Sequence, residues 1–375
     1  MEAKDSFLVP IFQLILSIFT NMEKNEFRLV GVMSGTSLDG IDLVFTEIDF
    51  EDPIGYKIIH AETVAYTEKW QSSLENAIKL EPAELNDLDY RYTEYLSGVI
   101  NTFIKKYEID LVDAVCSHGH TVKHRPKEGI TFQIGNLPEL ARLTGIPVVC
   151  DFRVQDVELG GQGAPLVPIG DRLFFSDHKY CMNLGGFANI SMEKDSRRLA
   201  FDICPVNTVL NFFTRKIGRD YDENGNMAAS GEVNEELLQH LNALSFYKKE
   251  APKSLGIEWV NCEVIPLIEK FSLEIPDILS TFCVHVAQQT ANVLDNDPNS
   301  SVLLTGGGVY NEFLMGQFRK YSKCEFLIPD AQLVEFKEAL IFALLGALKL
   351  RGEVNVLQSV TGARMDHSSG RVYEP

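Results

Sequence analysis

The chain has 375 residues, 45% hydrophobic and 23% charged, the balance of a globular protein long enough for two packed domains. Fifty-three acidic residues against 34 basic ones give a formal charge of -19, which argues against nucleic acid or an anionic membrane surface as the main partner. Seven scattered cysteines, odd in number and mostly in apolar stretches, read as reduced, structural and cytosolic.

The first apolar run, "FLVPIFQLILSIF" at 7–19, carries Pro10 and Gln13 and is shorter than the roughly 20 residues that span a bilayer. Residues 1–21 read as an N-terminal extension outside the fold, with no membrane partner. After Met22 the β-branched, apolar stretches 28–34 and 41–49 predict two strands around a tight turn. Helical patterns follow at 68–80 and 84–107, then strands at "LVDAVCSHG" and "IPVVCDF", then the glycine-rich "ELGGQGAPLVP" at 158–168. The second half opens like the first, with strand, glycine turn and strand in "KYCMNLGGFANISM". A strand at 199–203, helices at 206–217, 232–244 and 276–295, "SVLLTGGGVYN" at 301–311 and a helix at 334–351 complete it. The fold class is α/β in two lobes, 22–165 and 166–375, with a ligand cleft between them.

The turn Ser34-Gly35-Thr36-Ser37-Leu38-Asp39-Gly40 is dense in small polar groups. Glycines let backbone approach a ligand, and successive N–H groups with three hydroxyls suit phosphate oxygens. Asp39 suits a divalent cation held through water. A ligand-free hairpin is the competing reading, and the turn is neither a Walker loop nor G-x-G-x-x-G. Asp202, at a strand end before Pro205, suits either a general base or a helix cap. The H-x-H-x3-H spacing of His118, His120 and His124 invites a zinc reading, which the remaining motifs do not support.

Three glycine turns in order, 33–40, "NLGGFAN" at 183–189 and "LTGGGVYN" at 304–311, resemble the two phosphate motifs and the adenosine motif of the actin, sugar-kinase and Hsp70 superfamily. With "SHGHT", "QIGN", "DFR", "DVELGGQGAPLVP", "YDENGNMAASGEVN", "PKSLG" and "VTGA", the sequence over 28–363 is similar to the anhydro-N-acetylmuramic acid kinase family. The resemblance implies a two-lobed actin-like (ribonuclease H-like) ATPase fold with the active site in the interlobe cleft. It also implies a cytoplasmic bacterial enzyme of peptidoglycan recycling. This enzyme uses ATP and Mg²⁺ to phosphorylate O6 of 1,6-anhydro-N-acetylmuramic acid while water opens the anhydro bridge, and family members tend to be homodimers.

Residue by residue, the resemblance implies Asp202 as base. It assigns ATP binding to Gly35, Thr36, Ser37, Leu38, Asp39, Gly40, Ile41, Asp42, Gly185, Gly186, Gly306, Gly307 and Gly308, with Asp39 on Mg²⁺ through water. It assigns the sugar to His118, Arg153, Gln162, Asn207 and Glu338. Two departures stand out: Asp202-Ile203-Cys204-Pro205-Val206-Asn207 replaces Asp-x-Gly-Pro-Gly-Asn, and His120 stands where glutamine is usual. The lost glycines lead us to expect an altered backbone approach to the substrate. A levoglucosan kinase, a nucleotide-binding regulatory protein and an exopolyphosphatase-like hydrolase are the rival readings.

Overall fold

A computed structural model describes residues 24–375 except residue 36, so the extension expected over 1–21 and the side chain of Thr36 lie outside the described residues. The chain divides into two compact units, Phe175–Glu335 and the described part of Met1–Phe174 with Phe336–Pro375. The sequence reading put the division at 165 and ran the second lobe to the C-terminus. Instead, the chain from Phe336 onward belongs with the first unit, because the apolar face of that helix covers the first sheet.

In the first unit β1 (Glu26–Ser34), β2 (Gly40–Asp49), β3 (Gly55–Ala65), β4 (Ala114–Arg125), β6 (Val148–Cys150) and β12 (Arg371–Tyr373) form one sheet, ordered β12-β6-β4-β1-β2-β3, with β5 (Ile130–Ile134) paired to β4. The hairpin expected from the opening turn is present: β1 and β2 are antiparallel, with Ser34 opposite Ile41. Strand β4 lies parallel to β1 and pairs Ser34 with His120 after a shift in register, and β6 lies parallel to β4. Leu29, Val30 and Val32 of β1 are all buried, as a strand covered on both faces requires.

One cover is the helix Pro82–Lys106, which starts with proline and a Glu81/Glu84 capping box. It buries Leu85, Leu88, Tyr92, Leu96, Val99 and Phe103 at helical spacing. The other is the helix Ala331–Arg351 from Phe336 onward, which comes so close that a Cβ on Gly31 would lie 2.0 Å from the Ala339 carbonyl oxygen.

The second unit repeats this plan. Strands β7 (Tyr180–Leu184), β8 (Phe187–Lys194) and β9 (Arg197–Pro205) are antiparallel neighbours, and β10 (Ser301–Thr305) and β11 (Glu325–Leu327) continue the sheet parallel to β7. In each unit three antiparallel strands are followed by two parallel ones, the duplication that the paired glycine turns suggested and the ribonuclease H-like arrangement of actin-like ATPases. The helices Asn207–Arg215, Ile275–Ala291 and Glu312–Tyr321 bury Phe213, Phe282 and Phe318 in one core.

Cys204 and Val206, which occupy the positions of the lost glycines, are fully buried in that core. Their side chains fill the interior behind β9, so whatever these two positions change at the substrate acts through the backbone, as the sequence led us to expect. All seven cysteines are free thiols, and only Cys262 is exposed.

Candidate active site

In the first unit the opening turn is fastened from below. Tyr66 donates its N–H to the Asp39 carbonyl, Gln71 Nε2 donates to the Leu38 carbonyl, and Leu38 adopts a left-handed φ of 61°. Gly40 must be glycine, since a Cβ would lie 2.6 Å from the Val64 carbonyl oxygen. Ser37 and Asp39 are exposed, and Gly35 is partly exposed. Ile41 is buried in the core and paired across the sheet with Ser34 of β1 and Val64 of β3, and Asp42 Oδ1 accepts the Thr63 hydroxyl at 2.6 Å. Ser34 is turned inward, its hydroxyl bonded to Tyr66 and His120.

Beyond the parallel strands β4 and β6 sits a second group. Arg153 Nε donates to His118 Nε2 at 2.8 Å, and Arg153 Nη1 donates to the Gly163 carbonyl at 2.8 Å. An arginine only donates, so His118 Nε2 must accept and its proton sits on Nδ1, 2.9 Å from the Gly119 carbonyl oxygen. Burial, with the Arg153 charge adding to it, holds this imidazole well below its ordinary pKa and therefore neutral. Burial also lowers Arg153 to about 10. Arg153 Nη2 has no partner among the described residues.

Gly163 in turn donates its N–H to the fully buried Asp156 at 2.6 Å, and the Thr361 hydroxyl reaches the other Asp156 oxygen at 2.7 Å. This ties the "GGQGAP" loop to "VTGA", with the Gln162 N–H on the Thr361 carbonyl and the Gln162 side chain exposed. Glu338 is open to solvent but crowded by protein. Desolvation raises its carboxyl, with Asp42 adding to the shift and Arg153 and Lys337 opposing it.

In the second unit the Leu184–Phe187 hairpin turns on Gly185 and Gly186. The helix Asn207–Arg215 spends its first N–H groups on that turn: Val206 and Thr208 donate to the Gly186 carbonyl and Asn207 to the Gly185 carbonyl. Gly306, with a φ of +83°, and Gly308 pack against the end of β7, where Cβ atoms would lie 2.5 Å from Asn183 Oδ1 and 2.8 Å from Leu184 Cβ respectively. Gly307 has open space beside it. Asn207 is half-exposed next to both turns, its Nδ2 3.5 Å from the Leu184 carbonyl oxygen.

Asp202 sits a few residues from that helix on β9. Its Oδ2 accepts the Leu255 N–H at 2.7 Å, and Oδ1 makes no hydrogen bond among the described residues. It caps no helix, which removes the bland reading of this aspartate. Burial raises its carboxyl, and the Leu255 hydrogen bond works against that shift. A half-buried carboxylate with one oxygen fixed and the other open is what a general base needs.

Sequence reasoning missed the Leu255 N–H and the Asp156–Thr361 tie, since backbone donors leave no mark in residue type. "PKSLG" and "VTGA" were the signals available. The three clustered histidines do not converge on one point. His118 pairs with Arg153, His120 with Ser34 and His124 with Thr131, and no three metal-binding side chains gather among the described residues.

Residues 27–375 match the family described as anhydro-N-acetylmuramic acid kinase. The chain belongs to that family. Anhydro-N-acetylmuramic acid kinases of Bacillus cereus (strain Q1) and of Pseudomonas syringae pv. tomato are both 31% identical to it. The first alignment covers 92% of this chain and 99% of the relative, the second 93% and 99%. The kinase of Coxiella burnetii (strain Dugway 5J108-111) is also 31% identical, over 92% of this chain and 97% of that one.

Solved structures similar to the chain include the activator of 2-hydroxyisocaproyl-CoA dehydratase from Clostridium difficile with bound ADPNP, with a TM-score of 0.44 at 13% identity over 86% of this chain and 96% of that one. A ROK family glucokinase from Streptomyces griseus in complex with glucose and AMPPNP gives a TM-score of 0.39 at 14% identity, over 85% and 98%. No helix among the described residues is long and apolar enough to cross a membrane.

Proposed function

We propose that this chain is an ATP-dependent kinase that opens 1,6-anhydro-N-acetylmuramic acid with water and phosphorylates O6, giving N-acetylmuramic acid 6-phosphate and ADP. Asp202 carries the reading: one oxygen is held by Leu255 and the other is open to take a proton. Oδ1 removes a proton from water as the water oxygen attacks the anomeric carbon. The C1–O6 bond breaks, and O6 takes the γ-phosphoryl group as ADP leaves. Asp202 then returns its proton to solvent.

The turn 35–42 and the Gly185-Gly186 hairpin hold the phosphates through backbone N–H groups, and Gly306, Gly307 and Gly308 pass the nucleoside, with Gly307 on the open side. Asp39 is exposed and makes no side-chain hydrogen bond among the described residues, so its hard oxygens fit Mg²⁺ held through water. When bound, that ion neutralises phosphate charge. The family resemblance assigns Arg153, Gln162, Glu338 and Asn207 to the sugar, and within the first unit His118 orients the Arg153 guanidinium and leaves its Nη2 without a partner among the described residues.

We place the enzyme in the bacterial cytoplasm, in peptidoglycan recycling, as a homodimer. Its partners are ATP, Mg²⁺ and the anhydro sugar, with neither nucleic acid nor membrane. The unpaired cysteines agree with a reducing compartment.

ADP release with three sugars tests the substrate: the anhydromuramic sugar, its analogue without the lactyl group, and levoglucosan, which lacks lactyl and N-acetyl groups. Turnover that falls as each group is removed supports the reading. Faster turnover of levoglucosan replaces the substrate but keeps the mechanism. ATP binding without turnover of any of the three gives the regulatory reading.

A further inference from the structure

His120 belongs to a buried chain that the catalytic reading does not use. Its Nδ1 lies 2.8 Å from Ser34 Oγ, Ser34 Oγ lies 2.7 Å from the Tyr66 hydroxyl, and Tyr66 lies 2.6 Å from the Tyr92 hydroxyl. All four residues are buried, Tyr92 completely. Three hydroxyl hydrogens must serve three contacts. If they run from Tyr92 to Tyr66 to Ser34 to His120, each is used and Nδ1 accepts. The opposite order leaves the Tyr92 hydrogen without an acceptor in a fully buried position, which is unfavourable for a buried donor. The hydrogen-bond network therefore assigns the ring proton to Nε2.

That Nε2–H has no hydrogen-bond partner among the described residues, although His120 is only 3% exposed. It lies at a telling place. Ser34 ends β1 where the phosphate turn begins, and His120 is its partner on the parallel strand β4. Two residues back, His118 holds Arg153. Ligands of α/β sheets bind at the carboxyl ends of parallel strands.

We propose that His120 is a further sugar-binding residue, its Nε2–H donating to an uncharged oxygen of the sugar (hydroxyl, ether or amide carbonyl), with Tyr92, Tyr66 and Ser34 as the positioning residues that fix its tautomer. A single neutral donor suits an uncharged acceptor, whereas phosphate is served by the turn's backbone N–H groups and Arg153 supplies charge. Burial holds the His120 pKa at about 4, so the ring stays neutral in the working range. This inference rests on the sugar-kinase reading above.

The test is long-range ¹H–¹⁵N correlation on the full chain with ¹⁵N-labelled histidine, the His120 signals being assigned by their absence in His120→Gln. The expected result is the Nε2–H tautomer, with an Nε2 shift on adding 1,6-anhydro-N-acetylmuramic acid alone and none with AMPPNP alone. In kinetics, His120→Leu is expected to raise the sugar KM about tenfold and leave the ATP KM unchanged. His120→Gln, whose amide oxygen can accept from Ser34 and whose NH₂ can donate outward, recovers most of that loss.

A proton on Nδ1, a shift with the nucleotide only, or an unchanged sugar KM in His120→Leu overturns the proposal. If the wild-type chain binds and turns over the sugar while His120 stays silent, this proposal alone falls. If the chain does not bind the sugar, it falls together with the sugar-kinase reading.

Discussion

The Leu255 N–H donates to Asp202 Oδ2 at 2.7 Å, and the Asp202 N–H donates to the Lys253 carbonyl at 2.9 Å, so the proposed base is tied to the "PKSLG" segment through both its carboxylate and its backbone. Asp202→Asn preserves shape and removes the proton acceptor. Turnover is expected to fall by about 10²–10⁴-fold with ATP affinity unchanged, read by ADP release and nucleotide titration.

The same hydrogen bond sets the pH dependence. Burial raises the Asp202 carboxyl and the Leu255 N–H opposes that shift. The base works ionised, so activity rises with pH through this group. The acid limb of kcat is expected above the usual carboxylate range. Leu255→Pro removes the N–H, so the limb is expected to move to still higher pH, with kcat lower by about tenfold. An acid limb that does not move would separate Leu255 from the base.

Arg153 divides its donors among His118, Gly163 and, in our reading, the sugar. Lysine keeps the charge but cannot serve three directions at once. Arg153→Lys is expected to raise the sugar KM about tenfold, some 1.4 kcal/mol, with little change in the ATP KM. Initial rates with each substrate varied in turn decide it.

Gly306 has a left-handed φ, and a Cβ there would meet Asn183 and the Leu184 backbone below 3 Å. Gly306→Ala is expected to displace the turn and weaken nucleotide binding by about tenfold or more, measured by calorimetry with AMPPNP.

Asp89 accepts the Gly135 N–H at 2.7 Å in the interior of the first unit, and burial raises its carboxyl to about 6. The folded chain holds that proton more tightly than the unfolded chain. Its contribution is thus full below pH of about 4, is lost as pH rises to about 6, and stays lost above. Asn cannot ionise and still accepts from Gly135. Asp89→Asn is expected to be more stable than wild type near pH 7.5 by up to roughly 3 kcal/mol, and equal to it near pH 4, in paired denaturant titrations.

Much of the fold was legible because its signals are local. The apolar runs around 29–44 and 180–192 gave both hairpins, and the periodic stretches at 84–107, 276–295 and 334–351 gave the main helices. Strand β3 escaped because its burial pattern, half-buried with scattered exposed residues, shows no clean alternation. The return of the chain after Phe336 to the first unit escaped because a helix stripe does not name its partner sheet. At the site, Asp202 stood out by its carboxylate at a strand end and Arg153 through the family resemblance. What fixes them, the Leu255 N–H and the Gly163 carbonyl, is backbone placed by long-range folding. The side chains of Cys204 and Val206 lie in the core, a placement that the motif comparison did not show.

The most direct test of the account is a product balance: purified chain, Mg-ATP and 1,6-anhydro-N-acetylmuramic acid, with ADP and sugar phosphate quantified together for wild type and Asp202→Asn. The account expects one N-acetylmuramic acid 6-phosphate per ADP in the wild type and neither in the variant. ADP formed without sugar phosphate, a phosphorylated sugar with its anhydro bridge intact, or undiminished turnover in Asp202→Asn would contradict it.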